Sequence, residues 1–106
     1  MLYQNLIEKG RRMKELSPGE QKLLEYLGPP YTVKTIDYEE CVYLDMGEYD
    51  IEISQGKAVN SDFNIYIWRK NHRLQIVERY LDIKNDLPII KELLDDIRSR
   101  YTEKII

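Results

Sequence analysis

Residues 41–54 read CVYLDMGEYDIEIS, and the fold turns on them. Val42, Leu44 and Met46 alternate with Cys41, Tyr43 and Asp45; beyond Gly47-Glu48, Tyr49, Ile51 and Ile53 alternate with Asp50, Glu52 and Ser54. A period of two on either side of a two-residue break describes a strand, a turn and a strand, because successive side chains of a strand point to opposite faces. Glycine in the first loop position suits a type II′ turn, since it takes positive φ without a Cβ clash. That turn sets Met46 opposite Tyr49, Leu44 opposite Ile51, Asp45 opposite Asp50 and Tyr43 opposite Glu52. One face is apolar and the other acidic and aromatic.

Residues 63–76, FNIYIWRKNHRLQI, repeat the pattern. Phe63, Ile65 and Ile67 are set against Leu74 and Ile76, and Asn71-His72 supplies residue types that tolerate positive φ. A two-residue turn there pairs Lys70 with Arg73, Trp68 with Gln75, Tyr66 with Val77 and Asn64 with Arg79. Leu81 and Ile83 take the parity opposite to Leu74 and Ile76, so the strand is expected to end or bulge near Tyr80. Tyr31 to Ile36 is a candidate first strand, followed by a polar turn at 37–40. Residues 55–62 hold Gly56, Asn60, Ser61 and Asp62 and read as a loop.

Helices flank this sheet. Leu2, Leu6, Met13 and Leu16 recur at roughly helical intervals, with Gly10 as a weak point. Ser17-Pro18-Gly19-Glu20 carries a capping box, Leu23, Leu24 and Leu27 form an apolar stripe, and Gly28-Pro29-Pro30 ends the helix. Residues 1–28 thus predict a helical hairpin. At the other end, Asn85-Asp86 offers a cap, Pro88 fits the first turn, and Leu87, Ile90, Leu94, Ile97 and Tyr101 recur at steps of three and four. The expected whole is one α+β domain over 1–106: a helical hairpin (1–28), an antiparallel meander of four to five strands (31–83) and a C-terminal helix (86–104) packed on it.

Leu16-Ser17-Pro18-Gly19-Glu20, with Leu23, Leu24 and Leu27, resembles the opening helix of winged-helix DNA-binding domains, over about a tenth of the chain. The resemblance implies a recognition helix next. Pro29-Pro30 and a segment of strand character stand there instead, so that family's function is not carried over.

Composition narrows the function classes. With 106 residues, 42% of them hydrophobic and 33% charged, the chain has the balance of a globular domain able to bury its own core. The single Cys41 allows no internal disulfide, no Cys/His spacing suits zinc, and no apolar run approaches the ~20 residues of a membrane span, so a reduced cytoplasmic setting without a membrane is expected. Net charge is −3, yet it is unevenly spread: residues 28–62 carry two basic against eight acidic side chains, whereas residues 63–84 carry five basic against two acidic.

Candidate chemistry is sparse. His72 lies at a hairpin tip chosen for backbone conformation, and Glu39 and Glu40 beside Cys41 oppose thiolate formation. No phosphate loop or metal spacing appears, so no catalytic residue, cofactor or metal is assigned, and the chain is not read as an enzyme. Arg69, Lys70, His72 and Arg73, with Tyr66 and Trp68 on the same strand, form a basic tip that a nucleic-acid binder would use. The acidic segment beside it repels a polyanion, which makes nucleic acid an unlikely partner.

Register gives the sharper reading. Asp45 opposes Asp50, and directly opposed like charges are unfavourable. A bound cation, a basic residue of the chain such as Arg11, Arg12 or Arg79, or a basic partner would offset them, and two carboxylates alone make a poor calcium site. The same outer face holds Tyr66, Trp68 and Arg79, and Tyr and Trp join large apolar area to a hydrogen-bonding group. Tyr43, Asp45, Asp50, Glu52, Tyr66, Trp68 and Arg79 are therefore the expected contact residues of a small interaction module of adaptor, inhibitor or immunity type. Its expected partner is a protein with a basic surface, or a second copy. The alternatives are the nucleic-acid reading and a small ligand-binding or enzymatic domain with a pocket between helices and sheet.

Overall fold

The computed structural model describes residues 14–56, 61–70 and 75–102. Helix α1 (Pro18–Leu27) is followed by strands β1 (Thr32–Ile36), β2 (Glu39–Asp45), β3 (Tyr49–Gln55), β4 (Phe63–Arg69) and β5 (Gln75–Ile83), then helix α2 (Leu87–Thr102). The strands form an open antiparallel sheet in sequence order, which makes the chain α+β.

The β2–β3 turn is the one the sequence predicts. Gly47 has φ 98°, Met46 N–H donates to the Tyr49 carbonyl at 2.9 Å, and the ladder runs Asp45 with Asp50, Leu44 with Ile51, Tyr43 with Glu52. The apolar rows continue into β4, where Ile51 meets Ile67 and Ile53 meets Ile65.

The second hairpin departs from expectation. Tyr66 pairs with Arg79 rather than Val77, and Trp68 with Ile76 rather than Gln75. Over Ile65–Ile67 the partner strand has slid by two residues, which preserves the face each side chain takes. The slide places Tyr80 beside Ile65 and Glu78 beside Ile67, on the side where Arg100 of α2 reaches Glu78 Oε2 at 3.1 Å and the Tyr80 hydroxyl at 2.6 Å. A register shift between Ile67 and Trp68 leaves Val77 unpaired and turns Ile76 to the outer face, away from the core it was expected to join. The last pair is Arg69 with Gln75, so the connection is longer than two residues, and the proposed Asn71-His72 turn lies outside the described residues. The expected slip after Tyr80 is present as a second irregularity, with Asp82 at φ 60° and its N–H on Asn64 Oδ1, but the strand continues to Ile83.

Helix α1 starts as its sequence dictates. Ser17 Oγ accepts Glu20 N–H at 3.0 Å, Glu20 Oε1 accepts Ser17 N–H at 2.7 Å, and Gly28 closes the helix at φ 67°. The N-terminal helical hairpin is corrected: residues 1–13 lie outside the described residues, and 14–16 are not helical. Lys14 N–H donates to Tyr38 O, its carbonyl accepts Glu40 N–H, and Leu16 N–H donates to Glu40 Oε1, so this backbone runs along the β1–β2 turn. After α1 the chain enters β1, and no recognition helix of winged-helix kind follows.

Both helices cover one face of the sheet. Leu23 of α1 and Ile90, Leu94 and Ile97 of α2 share a buried cluster with Val42, Leu44, Ile51, Ile53, Phe63, Ile65 and Ile67. At about 2 kcal/mol for each fully buried aliphatic side chain, the three α2 residues contribute about 6 kcal/mol, far more than helix propensity would. A polar knot ties α1 to the sheet: Glu20, 1% exposed, accepts Gln55 N–H on Oε2 at 2.7 Å, and Ser17 Oγ hydrogen-bonds Gln55 Oε1. Gly19 lies so close that a Cβ there would come within 2.7 Å of the Gln55 amide.

Candidate binding face

With the helices on one side, the opposite face of the sheet presents two adjacent cross-strand rows. Tyr43, Glu52, Tyr66 and Arg79 form one; Asp45, Asp50, Trp68 and Ile76 form the other. The seven residues singled out in the sequence thus share one surface. Tyr43 and Asp50 are its buried members, whereas Asp45 and Arg79 are exposed.

The opposed carboxylates are already neutralised from within. Lys70 Nζ sits 2.8 Å from Asp45 Oδ1 and 2.9 Å from Asp50 Oδ1, bridging the pair. Its hydrogen bond, with that of Gly47 N–H, holds the Asp45 carboxyl below the usual aspartate range, and the two carboxylates in turn raise the Lys70 ammonium. Arg79, one of the expected neutralisers, lies across from Tyr66 instead, and Arg11 and Arg12 lie outside the described residues. Asp45 and Asp50 therefore do not wait for an outside cation.

Glu52 differs. It is half-buried, its Oε1 accepts Trp68 Nε1–H at 2.8 Å, and among the described residues no cation pairs with it. Burial raises its carboxyl above the usual glutamate range, the Trp68 bond opposes this, and Glu39 and Asp37 add to the rise. Beside it, Lys34 Nζ lies 4.4 Å over the Tyr43 ring and 3.2 Å from the Tyr43 hydroxyl. Between these groups opens a cavity of about 370 Å³, lined by Lys34, Ile36, Tyr43, Glu52, Trp68 and Lys70 among others. It opens on the face opposite the helices, not between helices and sheet where a ligand pocket was expected.

No family model, curated protein or solved structure matches this chain. Cys41 reaches this side too, but burial foremost, then Glu52, Glu20 and Glu39, pushes its thiol up to about 12, and Sγ is turned to the Lys34 carbonyl at 3.3 Å. It holds no thiolate at neutral pH. Among the described residues no group of three or more His, Cys, Asp or Glu side chains is placed to hold a metal, and no helix is long and apolar enough to cross a membrane. His72 and Arg73 lie outside the described residues, and the remaining tip cations are engaged: Lys70 by the two aspartates, Arg69 by Glu48 at 3.8 Å.

Sequence reasoning missed Lys34, and it assigned Lys70 to the basic tip rather than to the aspartates. Lys70 shares the parity of Tyr66 and Trp68, so its outward direction was legible. Its placement against Asp45 depends on how β4 lies along β3, and the loop over 55–62 encodes no register.

Proposed function

We propose that this chain is a small cytoplasmic interaction module, without catalytic activity or cofactor, that binds a protein with a basic surface through the outer face of its sheet. The observation that carries the reading is the one-sided placement of both helices: among the described residues no helix covers the rows bearing Glu52, Tyr66 and Trp68, and a cavity opens there. Aromatic residues around an incompletely covered acidic patch are the composition of an interface centre with a polar rim. The nucleic-acid alternative is weakened by the engagement of Arg69 and Lys70 with neighbouring carboxylates. The test is capture by the tagged full chain with the bound protein identified, beside sedimentation of the chain alone to detect a second copy. A basic protein retained by wild type, lost with Tyr66→Ala plus Trp68→Ala, kept with Lys91→Ala on α2, and released by rising salt supports the proposal. Retention indifferent to Tyr66 and Trp68 would remove the outer face from consideration.

A further inference from the structure

Glu52 is the one carboxylate in the two rows that has no cation paired with it among the described residues, and it stands in a cavity rather than on open surface. Its Oε1 is held by Trp68, which fixes the carboxylate plane and leaves Oε2 without a hydrogen bond among the described residues. Asp37 also lines the cavity, and no ion pair engages it among the described residues. Of the two lining ammonium groups, Lys70 is committed to Asp45 and Asp50, and Lys34 is seated on Tyr43. With Lys70 set against Asp45 and Asp50, the lining charges that remain are Glu52 and Asp37 against Lys34, two negative to one positive, so the balance left to meet an incoming group is negative.

The cavity's volume, about 370 Å³, is at the small end of ligand sites, suited to one long side chain rather than to a nucleotide or large cofactor. A hard metal ion would need more oxygens than the described residues of the face gather. A guanidinium meets each requirement: it is planar, weakly hydrated, stacks on aromatic rings and pairs with a carboxylate. An ammonium keeps its hydration more tightly and gains less from the indole.

We infer that the cavity is a socket for a single arginine side chain presented by the protein partner, with Glu52 as its counter-charge and Trp68 as its stacking wall. This rests on the interaction reading above and names what the face recognises.

Trp68 is the only tryptophan, so its indole N–H, the proton bonded to Glu52, is one unambiguous resonance. The ¹⁵N-labelled full chain is titrated with N-acetyl-arginine methylamide and with its lysine and citrulline counterparts. The arginine probe is expected to move the indole resonance and saturate at a roughly millimolar Kd, as a small ligand with one ion pair and one ring contact does. The neutral citrulline probe should not saturate, and lysine should bind at least about fivefold more weakly. Glu52→Gln keeps an acceptor for Trp68 and should weaken the arginine probe about tenfold, whereas Asp95→Asn on α2 should leave it unchanged. Equal response to all three probes, or full affinity in Glu52→Gln, overturns the socket. An unmoved indole beside partner capture that still depends on Trp68 also overturns it, while leaving the interaction reading in place. Arginine binding seen only in a variant with Arg11→Ala and Arg12→Ala would name this chain's own arginines as the occupant and overturn a partner's.

Discussion

Removing one negative charge from the outer face should have opposite effects at Asp50 and Glu52, two residues apart on β3. Asp50 is 4% exposed and lies 2.9 Å from Lys70 Nζ. Asparagine there replaces a charged acceptor with a neutral amide while the Asp45 link to Lys70 survives. The contact is an ion pair of a buried carboxylate with a partly exposed ammonium, between the ~0–1 kcal/mol of a surface pair and the ~3–5 kcal/mol lost on breaking a fully buried one, so the net loss is about 1–2 kcal/mol. For a domain of this size the melting temperature falls by about 4–8 °C. Glu52, by contrast, is partly desolvated, no cation among the described residues pairs with it, and its carboxyl is raised above the ordinary 4.5. A raised carboxyl means that the ionised form is disfavoured in the folded state, so stability falls as pH climbs from the ordinary value through the raised one. Glu52→Gln removes that penalty, and its melting temperature should exceed wild type at pH 7. The gain should vanish at a pH low enough to protonate Glu52 in folded and unfolded chains alike. Thermal unfolding followed by far-ultraviolet circular dichroism at both pH values reads all of this. Were both variants to shift the same way at pH 7, or Asp50→Asn to melt higher than wild type, the Lys70 bridge would not be neutralising the aspartates and the distinction between the two carboxylates would fall.

Ile97→Asp places an unpaired charge at a fully buried α2 position and should cost about 3–5 kcal/mol, whereas Asp96→Asn, exposed and paired with Arg100 one turn on, should stay within about 0.5 kcal/mol; denaturant midpoints compare them. Gly47→Val forces a β-branched residue to φ 98° and should lose about 1–3 kcal/mol in the same assay, with Gly47→Asn losing less. Cys41, buried and with its thiol pushed up to about 12, should resist iodoacetamide at pH 8 in the native chain and react once denaturant is added, as mass spectrometry would show.

Elements whose boundaries carry their own chemistry were legible in the sequence. Gly47 in a two-residue loop determines which residues face each other across β2 and β3, and Ser17 with Glu20 marks the start of α1 without reference to anything distant. The α2 stripe was equally plain, from Leu87 to Tyr101. What escaped depends on alignment between elements joined by longer connections. The two-residue slide of β5 keeps Glu78 and Tyr80 on the same side, so alternation alone cannot distinguish it from the expected pairing; the Arg100 contacts, contributed from twenty residues on, favour the observed one. The same holds for the candidate face. Its residues and their outward direction followed from parity, but which carboxylates were satisfied depended on where Lys70 came to rest, and that is a tertiary fact.

The hydrogen bonds shared by Ser17, Glu20 and Gln55 bear on how this domain opens. Glu20 serves two backbones at once, capping its own helix through Oε1 and holding the last residue of β3 through Oε2. Fraying of α1 would therefore strip a buried strand amide of its acceptor, and slippage of β3 would unseat the helix start. Helix and sheet are coupled into one cooperative unit, so amide protons of Leu23, Gln55 and Ile53 should exchange with solvent at a common, slow rate, while those of the exposed edge strand β1 exchange earlier.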